Sequence, residues 1–432
     1  MDDALTLLSS RVVVLISGLL TSIIVARTVG AEGRGLIAAI IVVPQLVLSM
    51  AANGIGSGIA IHMGRKVWGT DQIVQTLVYL SAGSVLLGVA VSLAVILSFP
   101  ADGYTLPLIL ASVCIVPGAV CYQYSAGVFL GLKRIPTFAI KAWGPGATKL
   151  LGTILLVYFL GFGVVGAVAA HAFSAFVIGV VLIWKLRSYL NVWPKFDPEI
   201  ARALTRTGFS LSFVFLMMIL VYRANVFLIQ NYGTLEELGY YSIGTLLAEL
   251  LWQLPTIVSP LILAGSASAT DGLAYSRKVA ALARVTLLIG VFASIIIAAF
   301  APLIVQVLFG HEFLPSADII RALLPGSVAI IVFKILRQDL SAKGRPWMAL
   351  WIVLPMLATV ILVGPFVIPQ YGALGAAYTS SAVYVVGTAV FIALYSRVVG
   401  LSIREIIVFE RKDYERLRGQ ITEKASLLVG RS

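Results

Sequence analysis

An all-α integral membrane protein is the fold class that the sequence predicts, from three observations. Hydrophobic residues make up 60% of the 432 positions, and charged residues only 12%. Apolar runs of about 20 residues, enough to cross a hydrocarbon core about 30 Å thick, recur from one end of the chain to the other. Weak alternating segments of about ten residues, which would indicate a β-barrel, are not the pattern. Backbone amides in lipid must be satisfied internally, so these runs predict helices.

Twelve apolar runs are predicted as transmembrane helices. In chain order they cover residues 8–27, 36–62, 73–98, 107–130, 142–160, 164–184, 207–230, 239–262, 279–303, 319–340, 347–368 and 373–396. The first run follows Asp2 and Asp3 instead of a basic segment, and it leads towards the second without a small-residue cleavage motif. It is therefore interpreted as a span and not as a cleaved signal peptide.

The charge distribution predicts the topology. If the spans alternate in direction, 23 of the 31 lysines and arginines fall on one side, including those of the tail from Arg397 onward. The opposite side has Arg27 and Arg34, with Arg321 just inside the end of its span. The positive-inside rule then places both termini in the cytoplasm. Most of the net charge of +12 is thus explained by topology, and no nucleic-acid partner is expected.

The two halves of the chain repeat each other. Segment 185–206 divides the twelve spans six and six. Three pairs of segments match in order across it: Lys133–Pro136 with Lys343–Pro346, Gly163–Ala167 with Gly372–Ala376, and Gly30–Gly35 with Gly233–Gly239. We expect an N-terminal six-helix lobe (1–184), a cytoplasmic linker (185–206), a C-terminal six-helix lobe (207–396) and a basic tail (397–432). An even number of spans per half predicts a parallel pseudo-two-fold repeat with a cavity between the halves.

Five basic residues lie inside the predicted spans, where a charge is costly unless it faces protein or water. They are Lys149, Arg223, Arg284, Lys334 and Arg337. Arg284 and Arg337 lie within about 8 Å of a predicted span end, so we expect them to reach the interface as anchors. The deeper residues Lys149, Arg223 and Lys334 suggest a water-filled cavity that holds an anion. Asp339 lies close to a span end.

Glu249, near the midpoint of the eighth span, offers an alternative for one of these cations. Arg223 and Glu249 lie at similar depth on neighbouring spans, and intramembrane charges usually pair, so an Arg223–Glu249 ion pair is as well supported as a substrate-binding Arg223. His171 is interpreted as a packed, hydrogen-bonded residue. Arg27, Arg34 and Arg321 are interpreted as solvated surface residues. Gly54-x-x-x-Gly58 is interpreted as close helix packing.

The segment Ala26–Leu36 (ARTVGAEGRGL) resembles the ARxLGPxGxG element of bacterial polysaccharide flippases. Phe129–Pro136 (FLGLKRIP) and the elements Gly163–Gly166 and Gly372–Gly375 also resemble that family, which belongs to the multidrug/oligosaccharidyl-lipid/polysaccharide (MOP) exporter superfamily. The resemblance implies a MATE-like, V-shaped bundle that alternates between inward-open and outward-open states. It also implies a cargo of oligosaccharide on an undecaprenyl diphosphate carrier, moved across the bacterial cytoplasmic (inner) membrane.

Lipid II flippases of that superfamily typically have fourteen spans, and twelve predicted spans therefore favour a Wzx-type flippase for O-antigen, capsule or exopolysaccharide. On this basis Lys149, Arg223 and Lys334 are the predicted diphosphate-binding residues. Glu249 is the candidate for an ion pair or for ion coupling. No catalytic residue, metal ligand or cofactor is expected. The expected partners are the polyprenyl-diphosphate-linked oligosaccharide and membrane lipids, with a polysaccharide polymerase and glycosyltransferases as further candidates.

Other classes of function remain open at this point. A multidrug extruder of the same fold, coupled to H⁺ or Na⁺, would export cations and would need buried carboxylates, of which Glu249 is the main example. A non-transporting scaffold of a polysaccharide assembly complex is a further alternative. A membrane glycosyltransferase or polymerase would need catalytic groups on sizeable outer loops, whereas the predicted outer loops have about ten residues or fewer. The sequence therefore predicts that the protein is not an enzyme.

Overall fold

The computed structural model describes residues 2–190, 194–268 and 271–408, and these ranges are helical almost throughout, with no β-strand. The helices are α1 Asp2–Leu48, α2 Gly54–Arg65, α3 Thr70–Ser98, α4 Leu106–Val113, α5 Ile115–Gly131, α6 Ile135–Thr153, α7 Gly163–Leu186, α8 Pro198–Tyr232, α9 Leu235–Ala248, α10 Gln253–Ser268, α11 Gly272–Leu308, α12 Ser316–Ala342, α13 Leu350–Val399 and α14 Ile403–Ile407.

Within these ranges, 8 helical stretches are long and apolar enough to cross a membrane. They are Ser10–Arg65, Thr70–Ser98, Leu106–Gly131, Gly163–Tyr189, Pro198–Tyr232, Gly272–Leu308, Ser316–Ala342 and Pro346–Val399. The predicted all-helical membrane class is confirmed. The basic residues of the predicted tail beyond Val408, including Arg411 and Lys412, lie outside the described residues.

Two of the longest helices contain a backbone break at a glycine. Gly30 interrupts α1 with φ 69° and ψ −173°, and Gly372 interrupts α13 with φ 56° and ψ −144°. A left-handed φ is accessible to glycine without the steric conflict that a Cβ would cause. The breaks fall where the sequence places the turns between the first two and between the last two predicted spans.

Of the two matched pairs of glycine segments in the sequence repeat, one shares its local geometry: Gly163 and Gly372 both have a left-handed φ, whereas Gly30 (φ 69°) and its match Gly233 (φ −123°) differ. Gly163, with a φ of 52°, begins α7. A second glycine follows three residues after each of the left-handed glycines Gly30, Gly163 and Gly372. A Cβ added to this second glycine would lie 2.8–2.9 Å from the Cβ of the residue four positions earlier in the chain. These pairs are Gly33 with Val29, Gly166 with Phe162 and Gly375 with Tyr371. The G-x-x-G element therefore forms the same turn-and-restart of a helix at each position.

The basic turns of the repeat also share a backbone geometry, in a register one position from the sequence match. Lys133 (φ 57°) and Gly344 (φ 76°) are the left-handed residues that follow α5 and α12. The next N–H closes each turn, from Arg134 to the Phe129 carbonyl and from Arg345 to the Leu340 carbonyl, both at 2.9 Å. This is the closure of a Schellman-type helix end. The conformation aligns Lys133 with Gly344, not with Lys343.

Two compact units make up the chain. The first comprises Met1–Ile243, Pro302–Ser316 and Leu357–Ala376, and the second comprises Gly244–Ala301, Ala317–Met356 and Ala377–Ser432. Helices α9, α11, α12 and α13 each contribute residues to both units. The predicted lobe boundaries at residues 184 and 207 stay a prediction.

Glycines allow close helix crossings in the first unit. A Cβ on Gly54 would lie 2.4 Å from the Gly208 carbonyl oxygen, and one on Gly58 would lie 3.2 Å from the Gly208 nitrogen. Both glycines of the Gly54-x-x-x-Gly58 motif therefore face α8, and the close-packing interpretation is confirmed. A second crossing joins α1 and α9, where Gly35 meets Leu235 and Gly239.

The polar segment between α7 and α8 is held against α3. The Tyr79 hydroxyl donates to the Pro194 carbonyl at 2.8 Å, and the Lys195 N–H donates to the Gln75 side-chain oxygen at 3.1 Å. The Phe196 ring meets the Tyr79 ring edge-on, with centroids 5.5 Å apart. This part of the predicted linker is thus a packed connection.

We expect Gly163→Ala to lower the free energy of unfolding by about 1–2 kcal/mol, because alanine is strained at a left-handed φ. The added Cβ itself would meet open space there. Gly372→Ala should cost more, because the Cβ would also lie 1.9 Å from Glu237 Oε1 and would displace a carboxylate that accepts from the Thr234 N–H. Thermal unfolding of the purified variants measures the difference. Gly83→Ala, with ordinary φ and nothing near its Cβ, is the control; equal losses at Gly163 and Gly372 would contradict the role of Glu237.

Candidate functional site

Lys149 contacts a histidine inside the first unit. It lies on α6, one turn after Pro145, and its Nζ is 3.5 Å from Nε2 of His171 on α7. Both side chains are half-buried. Helix α6 continues after Lys149 into a π-helical turn, Ile154–Phe159. Such turns occur often at functional sites.

The neighbours of His171 indicate its tautomer. Its Nδ1 lies 3.4 Å from the Ala167 carbonyl oxygen, which can only accept. The proton therefore belongs on Nδ1, and the lone pair of Nε2 faces the Lys149 ammonium. His171 is a hydrogen-bonded residue within the helical packing, as the sequence predicts, and it is a neutral acceptor for Lys149.

Arg34 adds a second cation to this region. It follows the Gly30 break, and its Nε donates to the Ser242 hydroxyl on α9 at 3.1 Å. Its positive charge acts on both Lys149 and His171. The sequence suggested a solvated Arg34, whereas the structure places it near the predicted substrate residue. Two cations that repel each other in a half-buried region are stabilised by an anion that contacts both. We call Arg34, Lys149 and His171 the cationic cluster.

Lys334 is held by an aromatic ring in the second unit. Its Nζ lies 4.0 Å from the centroid of the Trp252 ring, a cation–π contact. Trp252 is 7% exposed and meets the ring of Tyr384 at 64°, with centroids 6.3 Å apart. The Trp252 ring therefore packs under an ammonium group.

Glu249 and Trp252 share one short turn. Residues Glu249–Trp252 form a 3₁₀ turn between α9 and α10, a tighter geometry that interrupts the regular helix. Arg223 lies half-buried on α8. Neither Arg223 nor Glu249 is without an interaction partner. The Arg223–Glu249 ion pair stays a prediction, as does substrate binding by Lys149, Arg223 and Lys334.

Arg284 differs from its predicted role as an interfacial anchor. It is 7% exposed, and its guanidinium donates to the Glu405 carbonyl. Arg277 also approaches the Glu405 carboxylate, at 3.4 Å. Glu405 forms a capping box with Ser402 at the start of α14, and hydrogen bonds from Ser402, together with Arg277, lower its pKa. The two arginines therefore fasten α14 to α11, a contact between residues 121 positions apart that helical periodicity does not reveal.

Comparison with known proteins relates this arrangement to one family and one fold. A family model described as polysaccharide biosynthesis protein matches residues 24–318. No curated protein matches the chain. The predicted resemblance to a polysaccharide biosynthesis family is confirmed by this match, and the fold resembles that of solved MOP superfamily structures.

Three solved structures illustrate the fold. An inward-facing MATE family multidrug resistance transporter of the MOP superfamily is 15% identical over 92% of this chain and 98% of its own, with a TM-score of 0.70. The lipid II flippase MurJ in an inward closed conformation is 14% identical over 93% and 88%, with a TM-score of 0.74. A MOP transporter from Pyrococcus furiosus is 16% identical over 92% and 94%, with a TM-score of 0.64. These proteins are described as transporters and a flippase, not as enzymes.

Proposed function

The chain belongs to the polysaccharide biosynthesis protein family, and from this premise we propose that it is a flippase for an undecaprenyl-diphosphate-linked oligosaccharide. The cargo would cross the bacterial cytoplasmic membrane by alternating access and would serve O-antigen, capsule or exopolysaccharide synthesis. The proposal includes twelve spans in two six-helix lobes, with both termini in the cytoplasm. Glycosyltransferases would supply the cargo, and a polysaccharide polymerase would consume it.

The cationic cluster is the observation that carries this proposal. A diphosphate presents two adjacent anionic groups, and charge-assisted hydrogen bonds to such groups are about twice as strong as neutral ones. A phosphate oxygen would replace the neutral His171 as the acceptor for Lys149. It would also reduce the repulsion between Lys149 and Arg34. A family of polysaccharide biosynthesis supplies a cargo with this chemistry.

Lys334 and Arg223 would provide the remaining contacts to the diphosphate. The Trp252 ring lies 4.0 Å from Lys334 Nζ and orients its ammonium through a cation–π contact. Glu249 begins the 3₁₀ turn that carries Trp252, so a change in its partner or protonation would move that ring. This supports the proposal that Glu249 forms an ion pair or couples transport to an ion.

Export of surface polymer tests the proposal. In a strain that depends on this chain, we expect the Lys149→Ala/Lys334→Ala double variant to lose export at least about tenfold, since the loss of 1.4 kcal/mol of binding is a factor of ten. Lys141→Ala/Lys278→Ala removes one lysine from each of α6 and α11 outside the proposed site and is the control at matched protein level. Wild-type export from the first double variant would contradict the proposal.

Drug susceptibility separates the flippase from an extruder of the same fold. A strain lacking the chain should show altered surface polysaccharide and unchanged susceptibility to cationic dyes. Sensitisation to the dyes with normal polysaccharide would favour the extruder instead.

A further inference from the structure

A buried carboxylate in the second unit accepts four hydrogen bonds from side chains. Asp339 on α12 is 0% exposed. Its Oδ1 accepts from the Ser266 hydroxyl. Its Oδ2 accepts from the Tyr395 hydroxyl at 2.6 Å, from the Ser276 hydroxyl at 2.7 Å and from Lys343 Nζ at 2.9 Å. Hydroxyls from three other helices therefore hold this carboxylate in its ionised form and fix its orientation.

The ammonium of Lys343 lies in a cage of three oxygen atoms. Besides Asp339 Oδ2, it donates to the Ser276 hydroxyl and, at 3.3 Å, to the Gly272 carbonyl. The Ser276 hydroxyl uses its one proton on Asp339, so a lone pair faces the ammonium. Carboxylate, carbonyl and hydroxyl oxygens are the ligand types that hard metal cations take in proteins.

Contacts that do not involve Lys343 also hold the oxygen atoms of the cage. Ser266, Ser276 and Tyr395 orient the carboxylate, and the Gly272 carbonyl belongs to the first residue of α11. The Lys343 side chain enters from an open cavity of about 210 Å³, and it is 24% exposed, whereas Asp339 is 0% exposed. Water and small ions can therefore reach the position of the ammonium. Arg345 lines the same cavity and is the other cation among its lining residues.

We propose that Asp339, Ser276 and Gly272 form a monovalent metal-cation site that Lys343 fills with its own tethered ammonium. The natural chain then needs no dissolved Na⁺ or K⁺ at this position. Removal of the Lys343 ammonium leaves a buried, ionised carboxylate at Asp339. A metal ion with the same single positive charge as the ammonium then occupies the vacated position, and water completes its coordination. This inference does not depend on the cargo or on the transport activity.

The melting temperature of the purified chain in different salts tests the site. Wild-type protein should melt at the same temperature in sodium, potassium and choline chloride of equal ionic strength. Lys343→Met should melt several degrees lower in choline, and Na⁺ or K⁺ should restore the melting temperature saturably. Choline cannot do so, because its quaternary ammonium is too large for the cage and has no N–H to donate.

Three further variants separate a metal site from a simple loss of charge balance. Asp339→Asn/Lys343→Met lacks both charges and should show no difference between the salts. Arg345→Met removes the cation at the cavity opening and should behave as wild type. Lys343→Gln, with an amide of similar length, repeats the test and should also melt lower in choline.

Several outcomes overturn the inference. Equal destabilisation of Lys343→Met in all three salts would mean that the contact is an ordinary ion pair, or that Arg345 takes over. Failure of Lys343→Met to fold in any salt, while the double variant folds, would mean that no dissolved cation replaces the ammonium. A wild-type melting temperature for Lys343→Met in choline would mean that the ammonium has no role there.

Discussion

Gly35→Ala is expected to destabilise the first unit by about 3 kcal/mol, because a side chain at this crossing has no space. The added Cβ would lie 1.8 Å from the Leu235 carbonyl oxygen and 3.0 Å from the Gly239 nitrogen. The contact is reciprocal, since a Cβ on Gly239 would lie 2.0 Å from the Ala31 carbonyl oxygen. Backbone atoms cannot turn away as a flexible side chain can, so α1 and α9 must separate. Thermal unfolding in detergent and accumulation in the membrane measure the effect.

The same helix offers a matched control. Gly18 also lies on α1, and nothing lies within 4 Å of the position of its Cβ. Gly18→Ala should therefore be neutral or stabilising by up to about 1 kcal/mol, the usual helix preference of alanine over glycine. Gly35→Ala combined with Gly239→Ala should cost less than the two effects added, because both act on one crossing. A wild-type melting temperature for Gly35→Ala would refute the close crossing.

Patterns within one segment predicted the fold features that local chemistry determines. The apolar runs gave helices because lipid-spanning backbone needs internal hydrogen bonds. The boundaries of the predicted spans placed the turns at Gly30, Gly163 and Gly372, where the structure shows a left-handed glycine followed three residues later by a closely packed one. The match of the Gly30–Gly35 and Gly233–Gly239 segments indicated a repeat. It did not reveal that Gly35 and Gly239 touch each other.

Partners in the candidate site could not be predicted, because they depend on side-chain direction and helix packing. Lys149 and His171 are 22 positions apart, and helical periodicity within one span does not relate them. Lys334 lies over Trp252, which is the last residue of a tight turn after α9. Asp339, placed from the sequence only by its depth, is bonded by residues from three other helices. Burial cost identified the charges, but it did not identify their partners.

Lys149→Glu is expected to abolish transport while leaving the protein at least as stable as wild type. A carboxylate at this position repels a diphosphate, and it loses the charge-assisted hydrogen bond that an ammonium donates. The same carboxylate would be attracted by Arg34, whose charge repels the natural lysine. The stability of the folded protein should therefore stay the same or rise, while transport is lost. A loss of folding together with transport would instead indicate a structural role for Lys149.

Graded substitutions then measure what the charge contributes. Lys149→Met should slow the appearance of lipid-linked oligosaccharide in the outer leaflet of proteoliposomes roughly 10- to 100-fold, because a hydrogen bond to a charged group contributes about 1.5–3 kcal/mol. Lys149→Arg should retain most of the rate, since a guanidinium also binds phosphate.

Lys141→Met controls for the loss of a lysine from α6 and should transport as wild type. Lys141 lies on the same helix as Lys149, and its ammonium lies near the Phe138 ring. His171→Ala should slow transport far less than Lys149→Met, because His171 is the acceptor that the cargo replaces and not a ligand of the cargo. Equal rates for Lys149→Met and Lys141→Met would remove Lys149 from the binding site.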